Sequence, residues 1–261
     1  MTGKKLYLRS RMNDLTDIDS LLKQVKDLTH EQHQVLSIIS HDLRSPLNRV
    51  FALIQLIQMN ETNLTPEQKD YLEKIHLTIA DGLAMMRNLV DYRNLEYRTI
   101  ELHPETFNAG DLIDSCVKGF SNIATRKDIV VTVECEPNLN VTTDKQCLTR
   151  VIDNLLGNAV KFSDRGKKIT VRADILSIHH LKIEVQDEAN GIDKDELSKL
   201  FHKFQKLSNL PTAGESSTGL GLFIAKSMAE KIGGKITCKT RAGVGSNFSV
   251  ELPKTINQLN K

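Results

Sequence analysis

Tryptophan is absent from this chain, and proline occurs only six times and glycine fourteen times in 261 residues. That scarcity excludes collagen-like, low-complexity and disordered classes. What remains, 39% hydrophobic and 26% charged, is the composition of one large folded domain or two modest ones. Cysteine is also sparse: Cys116, Cys135, Cys147 and Cys238 lie far apart with no C-x-x-C pair. Such spacing fits reduced thiols better than a disulfide framework or a zinc site. Charge of one sign is missing too, since 35 Lys and Arg against 33 Asp and Glu leave +2. Nothing in that balance calls for nucleic acid as a partner. The longest apolar stretch, Val50 to Met59, is interrupted by glutamines and is about half a membrane span. No secretory signal opens the sequence, so the expectation is a cytoplasmic location, with any membrane anchor lying outside this sequence.

What is present changes character once. From about Leu15 to Tyr97 apolar residues recur three and four apart. Ile18, Leu21, Val25, Leu28, Val35 and Ile39 form a heptad-like seam broken at Gln32, continued by Leu43, Leu47, Val50, Leu53, Ile54 and Ile57. Asn60 to Thr65 is a polar break, after which Thr65-Pro66-Glu67-Gln68 reads as a capping box with proline at the first helical position. Leu72, Ile75, Ile79, Leu83, Met86 and Val90 carry the second stripe. A helical hairpin is too thin to bury both stripes, which predicts a homodimer whose two hairpins pair into a four-helix bundle. The alternative is a hairpin packed on the chain's own second half.

After His103-Pro104 the pattern is mixed. Strands are predicted at 129–133, 168–172, 181–185, 235–238 and 246–250, with helical stretches at 109–126, 144–162, 193–199 and 221–231. That makes an α+β sandwich of ordinary domain size.

Four segments carry chemistry. In Ser40-His41-Asp42-Leu43-Arg44-Ser45-Pro46-Leu47 an acid directly follows a helical histidine. A carboxylate that accepts from one imidazole nitrogen leaves the other free as a nucleophile. Ser45 lies four residues on, hence on the same face, and Pro46 can kink the helix beside the ring. Read alone, His41 is equally well a solvated helix residue. In the second segment Asn154, Asn158 and Lys161 form one polar stripe on the helix that ends at Phe162. Amide oxygens suit hydrated magnesium and a lysine suits phosphate; the competing reading is a solvated helix face. Third, Val185-Gln186-Asp187-Glu188-Ala189-Asn190-Gly191-Ile192 is a strand running into a tight loop. Its acid can accept from an exocyclic amine, although such residues are also ordinary turn chemistry. Fourth, Ser217-Thr218-Gly219-Leu220-Gly221-Leu222 places glycines at a helix start, where free amides bind phosphate. The polar loop before it, Gln205 to Glu215, reads as a candidate lid.

Taken in order, these segments resemble the transmitter core of bacterial sensor histidine kinases, over residues 33 to 252. S-H-D-L-R-S-P-L looks like the phosphoacceptor box, D-N-L-L-G-N-A-V-K-F-S the N box, and D-E-A-N-G-I the first glycine box. L-F-H-K-F, residues 200–204, resembles the phenylalanine box and T-G-L-G-L, residues 218–222, the second glycine box. The resemblance implies a dimerisation and phosphotransfer domain at 33–100 and a catalytic domain of the Bergerat-type ATP-binding fold at 103–255. Residues 1–32 would be a signalling helix, with the sensor domain outside this chain. It also implies ATP and Mg²⁺ as cofactors. His41 is then the phosphoacceptor, Asp42 its orienting base, and Ser45 a hydroxyl where relatives that also dephosphorylate their partners carry Thr or Asn. Asp187 would hold the adenine amine, with Phe162, Gly191 and Ile192 around the base. Asn154 and Asn158 would engage the metal and phosphates, Lys161, Lys203 and Lys206 would add charge, and Thr218, Gly219, Leu220, Gly221 and Leu222 would bring backbone to the phosphates. The implied partner is the receiver domain of a response regulator. Two positions depart from the family pattern: Ala189 stands at the first glycine of D-x-G-x-G, and Ser217 replaces the glycine before the second box. A gyrase-type ATPase and a dimeric interaction module without nucleotide are the competing classes. Against the first, Asn154 occupies the place of the catalytic glutamate, and an amide cannot accept a proton.

Overall fold

The computed structural model describes residues 43–57, 59, 64–97, 101–212, 215 and 217–256. The seam over 15–39, His41, Asp42, Gly214 and Ser216 lie outside the described residues. The chain divides into two compact units, Met1–Leu64 and Thr65–Lys261. In the first, residues 43–57 form helix α1, with Leu43, Val50, Leu53, Leu56 and Ile57 exposed. Arg49 donates to Ser45 Oγ at 3.0 Å, one turn back on the same face.

The second unit opens with α2, Pro66–Tyr97. Its start is the capping box read from the sequence. The Thr65 backbone N–H donates to Gln68 Oε1 at 2.9 Å, and the Gln68 N–H returns to Thr65 Oγ1 at 3.2 Å. Pro66 follows the cap, where its missing N–H has no helical partner to lose.

Beyond α2 come β1 (Pro104–Asn108), α3 (Ala109–Arg126), β2 (Val130–Cys135), β3 (Asn140–Asp144), α4 (Lys145–Phe162), β4 (Lys168–Ser177) and β5 (His180–Asp187). A 3₁₀ turn at Lys194–Lys199 precedes α5 (Gly221–Lys231), β6 (Lys235–Arg241) and β7 (Gly245–Pro253). The main sheet has the order β2-β4-β5-β7-β6, and the two-stranded sheet pairs β1 with β3. Only β2 and β4 run parallel in the main sheet, and the crossover that this demands contains α4. The predicted α+β sandwich is present. Its small second sheet was not predicted, because neither Pro-Glu-Thr-Phe-Asn nor Asn-Val-Thr-Thr-Asp shows an apolar alternation.

The sheet has one apolar face and one polar face. Leu181, Ile183 and Val185 of β5 are fully buried with Ile169 and Val171 of β4 and Val250 and Leu252 of β7. Over them lie α3, α4 and α5, which contribute Ile113, Leu148, Ile152, Leu155, Leu156 and Ile224. The opposite face is a polar ladder: Arg172 links Glu134 and Gln186, and Glu184 accepts from Lys182, Asn247 and Ser249. All four cysteines are free. Burial pushes the thiols of Cys116, Cys147 and Cys238 up to about 12, so these are core residues rather than reactive ones. Among the described residues no helix is long and apolar enough to cross a membrane.

The reciprocal bonds at Thr65 give a direct expectation. Thr65→Ala should weaken the first turn of α2 by about 1 kcal/mol, so amide exchange at Gln68 and Lys69 should accelerate roughly fivefold while β5 and β7 are unaffected. Unchanged exchange in that turn would show that the cap does not hold it.

Candidate nucleotide site

The site is built on α4, whose two faces have different tasks. Leu148, Val151, Ile152, Leu155, Leu156 and Ala159 are buried in the core, which fixes the helix rotationally. The polar stripe Arg150, Asn154, Asn158 and Lys161 is thereby aimed at the edge of the sandwich beside α5. Asp144 caps the helix start, accepting from the Cys147 N–H at 2.8 Å, while its other oxygen accepts from the His103 N–H at 2.8 Å.

Asn154 is nine-tenths buried. Its Nδ2 donates to the Arg150 carbonyl at 2.7 Å, which turns Oδ1 away from its own helix. That oxygen faces Gly221, the first residue of α5. A β-carbon at Gly221 would lie 3.1 Å from Asn154 Oδ1 and 3.9 Å from Asn158 Oδ1. The Asn154 oxygen therefore packs against Gly221 more closely than a larger residue would comfortably allow, with the Asn158 oxygen beside it. Leu220, the N-cap of α5, supplies no side-chain cap, so the positive end of this helix adjoins the same space. Oxygen donors from two amides are hard ligands of the type magnesium takes, and free amides at a helix start suit phosphate. The residues present fit both groups.

Asp187 ends β5. It is buried, and its Oδ1 accepts from the backbone N–H groups of Ala189 at 3.0 Å and Ser246 at 3.1 Å. Burial pushes its carboxyl above the usual aspartate value, opposed by those two hydrogen bonds. Antiparallel register places Ser246 directly opposite Asp187 across β5 and β7. Gly245 packs so closely that a β-carbon there would stand 2.1 Å from the Asp187 carbonyl. Gly191, at φ +66°, is as constrained, since a β-carbon would meet the Arg241 carbonyl at 2.1 Å. Beside it the Ile192 N–H donates to Thr240 Oγ1 at 2.9 Å, and Asn209 donates to the Gly191 carbonyl.

Burial lowers the Lys161 ammonium below the ordinary lysine value; Asp81 of α2 and Glu215 oppose this, whereas Lys206 and Lys127 add to it. Lys161 and Lys206 thus share one electrostatic neighbourhood. The Lys203 Nζ contacts Glu96 of α2 at 2.6 Å and lies 5.5 and 5.2 Å from the ring centres of Tyr92 and Phe223. Gly219, at φ +68°, sits against the backbone of Phe204 and Gln205, and the Leu220 N–H donates to Thr218 Oγ1 at 3.3 Å. Phe162 and Leu222 are half-buried at the facing ends of α4 and α5, and Ile192 is buried.

Both departures from the family pattern are conformationally harmless. The non-glycine residues at positive φ are Asp128, Asn138 and Phe204 among the described residues, so Ala189 and Ser217 are not strained. Ala189 is itself buried and its N–H caps Asp187. Sequence reasoning missed Thr240 and Ser246, which hold the Asp187 loop. Strand register is the signal that finds them. It also missed Arg150, whose guanidinium binds Asp91 of α2 through Nε at 2.7 Å and through Nη2, and reaches Asn88 Oδ1 at 3.2 Å.

Two family models match the chain. Residues 31–98 match the "His Kinase A (phospho-acceptor) domain", and residues 143–256 match the "Histidine kinase-, DNA gyrase B-, and HSP90-like ATPase". Among curated proteins, "Sensor histidine kinase GacS" of Pseudomonas protegens is 30% identical over 92% of this chain and 27% of its own length. "Aerobic respiration control sensor protein ArcB" of Escherichia coli is 29% identical over 96% of this chain and 32% of its own. The chain thus spans about a third or less of these relatives. Among solved structures, full-length ShkA in complex with AMPPNP has the same fold, with a TM-score of 0.64 at 24% identity over 86% of this chain and 46% of that one. The mycobacterial sensor histidine kinase MprB matches at 26% identity and a TM-score of 0.50, over 59% of this chain and all of that one.

The glycine geometry separates two substitutions. Ala189→Gly relieves no strain and should leave the affinity for a non-hydrolysable ATP analogue within about twofold of the original. Gly191→Ala forces a methyl onto a carbonyl and should lower the Tm by about 4 °C or more and abolish binding. Calorimetric titration and thermal melts of both variants check this; a tenfold gain for Ala189→Gly would contradict the unstrained loop.

Proposed function

Because this chain belongs to the sensor histidine kinases, as their transmitter core, we propose that it phosphorylates its own His41 from ATP and passes the phosphoryl group to an aspartate of a response regulator. The observation that carries the reading is the approach of the Asn154 and Asn158 oxygens to Gly221 at the uncapped start of α5. This cradle sets neutral oxygen donors beside the free amides of a helix start, with Lys161 one turn beyond Asn158.

Asp187 holds the base end, its carboxylate fixed by the Ala189 and Ser246 amides so that it accepts from an exocyclic amine. Asn154 and Asn158 would hold Mg²⁺, which when bound would supply charge neutralisation for the transfer. Lys161 and Lys206 add positive charge at the same end. His41, oriented by Asp42, attacks the γ-phosphorus in line; the bond from that phosphorus to the bridging oxygen breaks and ADP departs. Water is a poor competitor because Asn154 is an amide and cannot take its proton, which sets this site apart from ATPases that use a glutamate there. Residues 33–100 serve as the dimerisation and phosphotransfer domain, 103–255 as the catalytic domain and 1–32 as the incoming signalling helix.

Two measurements test the reading. Incubation with γ-labelled ATP and Mg²⁺ should give an acid-labile, alkali-stable label that His41→Gln abolishes while analogue binding persists. Label retained by that variant would overturn the assignment. The apolar residues exposed along α1 should be covered by a second copy, so light scattering at micromolar concentration should report a dimer; a 29.3 kDa monomer would exclude the four-helix bundle.

A further inference from the structure

Lys127 has no part in any of the motifs above. It follows the last residue of α3, and its own N–H closes that helix onto Ile123 and Ala124. Its side chain nevertheless crosses to α4 and is more than nine-tenths buried. The ammonium donates to the carbonyls of Val160 at 2.7 Å and Lys161 at 3.2 Å, and pairs with Glu215 Oε1 at 3.4 Å. A buried ammonium is tolerated only where its three protons find acceptors, and here each does. Two of the acceptors are terminal carbonyls of α4, at the negative end of the helix, where a cation is favoured.

The third acceptor comes from another part of the chain. Glu215 belongs to the stretch leading into Thr218, Gly219 and α5. Three residues earlier Thr212 makes a second attachment to the same place: its N–H and Oγ1 donate to the Lys161 carbonyl at 3.1 and 3.2 Å, and Oγ1 also lies 2.9 Å from the Ser163 carbonyl. Lys127 and Thr212 thus converge on one carbonyl, that of the residue whose side chain carries the charge at the phosphate end. Glu215 also acts on the Lys161 ammonium, opposing the lowering that burial imposes on it. A plug that merely filled the end of α4 would need the two carbonyls and no acid from the loop.

We infer that Lys127 is a positioning residue for the nucleotide's phosphate end: it fixes the backbone of Lys161 and, through Glu215, sets how the chain ahead of α5 approaches the Asn154–Asn158 cradle. The inference rests on the kinase reading. It concerns the γ-phosphate end of the site and leaves the base end at Asp187 untouched, which makes it separable from a general loss of folding.

The test uses the full chain and its K127M, K127R and E215Q variants, titrated calorimetrically with a non-hydrolysable ATP analogue and with ADP, alongside thermal melts. Loss of one charge-assisted bond to the loop should weaken analogue binding by about tenfold in E215Q and K127M, with ADP affinity changed by less than about twofold. The double variant should bind no more weakly than K127M, because both changes break one link. K127R, which keeps the charge, should recover most of the analogue affinity. If K127M proves too unstable, E215Q alone decides, since Glu215 is not part of the core. Wild type that binds the analogue while E215Q binds it equally well, or loses ADP affinity in proportion, overturns the inference alone. Wild type that binds neither nucleotide overturns the kinase reading and this inference with it.

Discussion

Burial of α4 on both sides of its polar stripe is the constraint from which the site follows. A helix whose leucines and isoleucines are packed against β5 and between α3 and α5 cannot rotate without exposing them, and each such side chain is worth about 1.5–3 kcal/mol. Rotation by one residue would carry Asn154 and Asn158 away from Gly221 and bring Leu155 to the cradle. The aim of the polar groups is therefore fixed by the apolar ones. The same logic governs Asp187, whose place is set by strand register. A slip of one residue between β5 and β7 would replace the Ser246 amide and turn the carboxylate to the polar face of the sheet.

A near-neutral chain conceals a marked separation of charge. One side of α2 presents Glu73, Asp91 and Glu96, which meet Arg126, Arg150 and Lys203 of the α/β part, and Asp81, whose charge favours the Lys161 ammonium. The contacts differ in weight. Glu73 with Arg126 is half-exposed and contributes little beyond register. Asp91 with Arg150 is three-quarters buried and engages two guanidinium nitrogens, and such paired geometry is the form in which ion pairs hold position. Aromatic packing lies alongside, with Tyr92 edge-on to Phe204 and Phe223 at 5.4 and 6.0 Å between ring centres. Lys203 is drawn into this contact, its ammonium over both the Tyr92 and Phe223 rings.

How far the sequence discloses this depends on the scale of the pattern. Helices α3, α4 and α5 and the five strands of the main sheet are legible because their apolar residues recur at the helical or strand period over many residues. The capping box at Thr65 is legible because four consecutive residues specify it. By contrast β1 and β3 are short and polar and form a sheet of two strands, so no periodicity marks them. The stretch 194–199 has helix-forming residues but closes as a 3₁₀ turn, with none of its side chains buried to hold a longer helix. At the site, the asparagines, Asp187 and the glycines stand out as motifs. Lys127, Thr240, Ser246 and the Arg150–Asp91 pair do not, because each acts across 33 to 88 residues of sequence and has no local signature. Ala189 shows the reverse error: a departure from a motif looks costly until its backbone proves to lie outside the positive-φ region.

Arg150 joins these scales in one residue. Its side chain is held by Asp91 and Asn88 of α2, while its carbonyl, on the same turn of α4, takes the Asn154 amide proton. Accepting that proton is what orients Asn154 Oδ1 toward Gly221. Were Asn154 to flip, its NH₂ would point toward Gly221 and its oxygen toward the Arg150 carbonyl, an acceptor facing an acceptor. The carbonyl acts whether or not the guanidinium is engaged, because it belongs to the helix. The orientation of the amide therefore does not depend on the contact with α2, and the two tasks of Arg150, holding the long helix and orienting Asn154, are carried by different atoms.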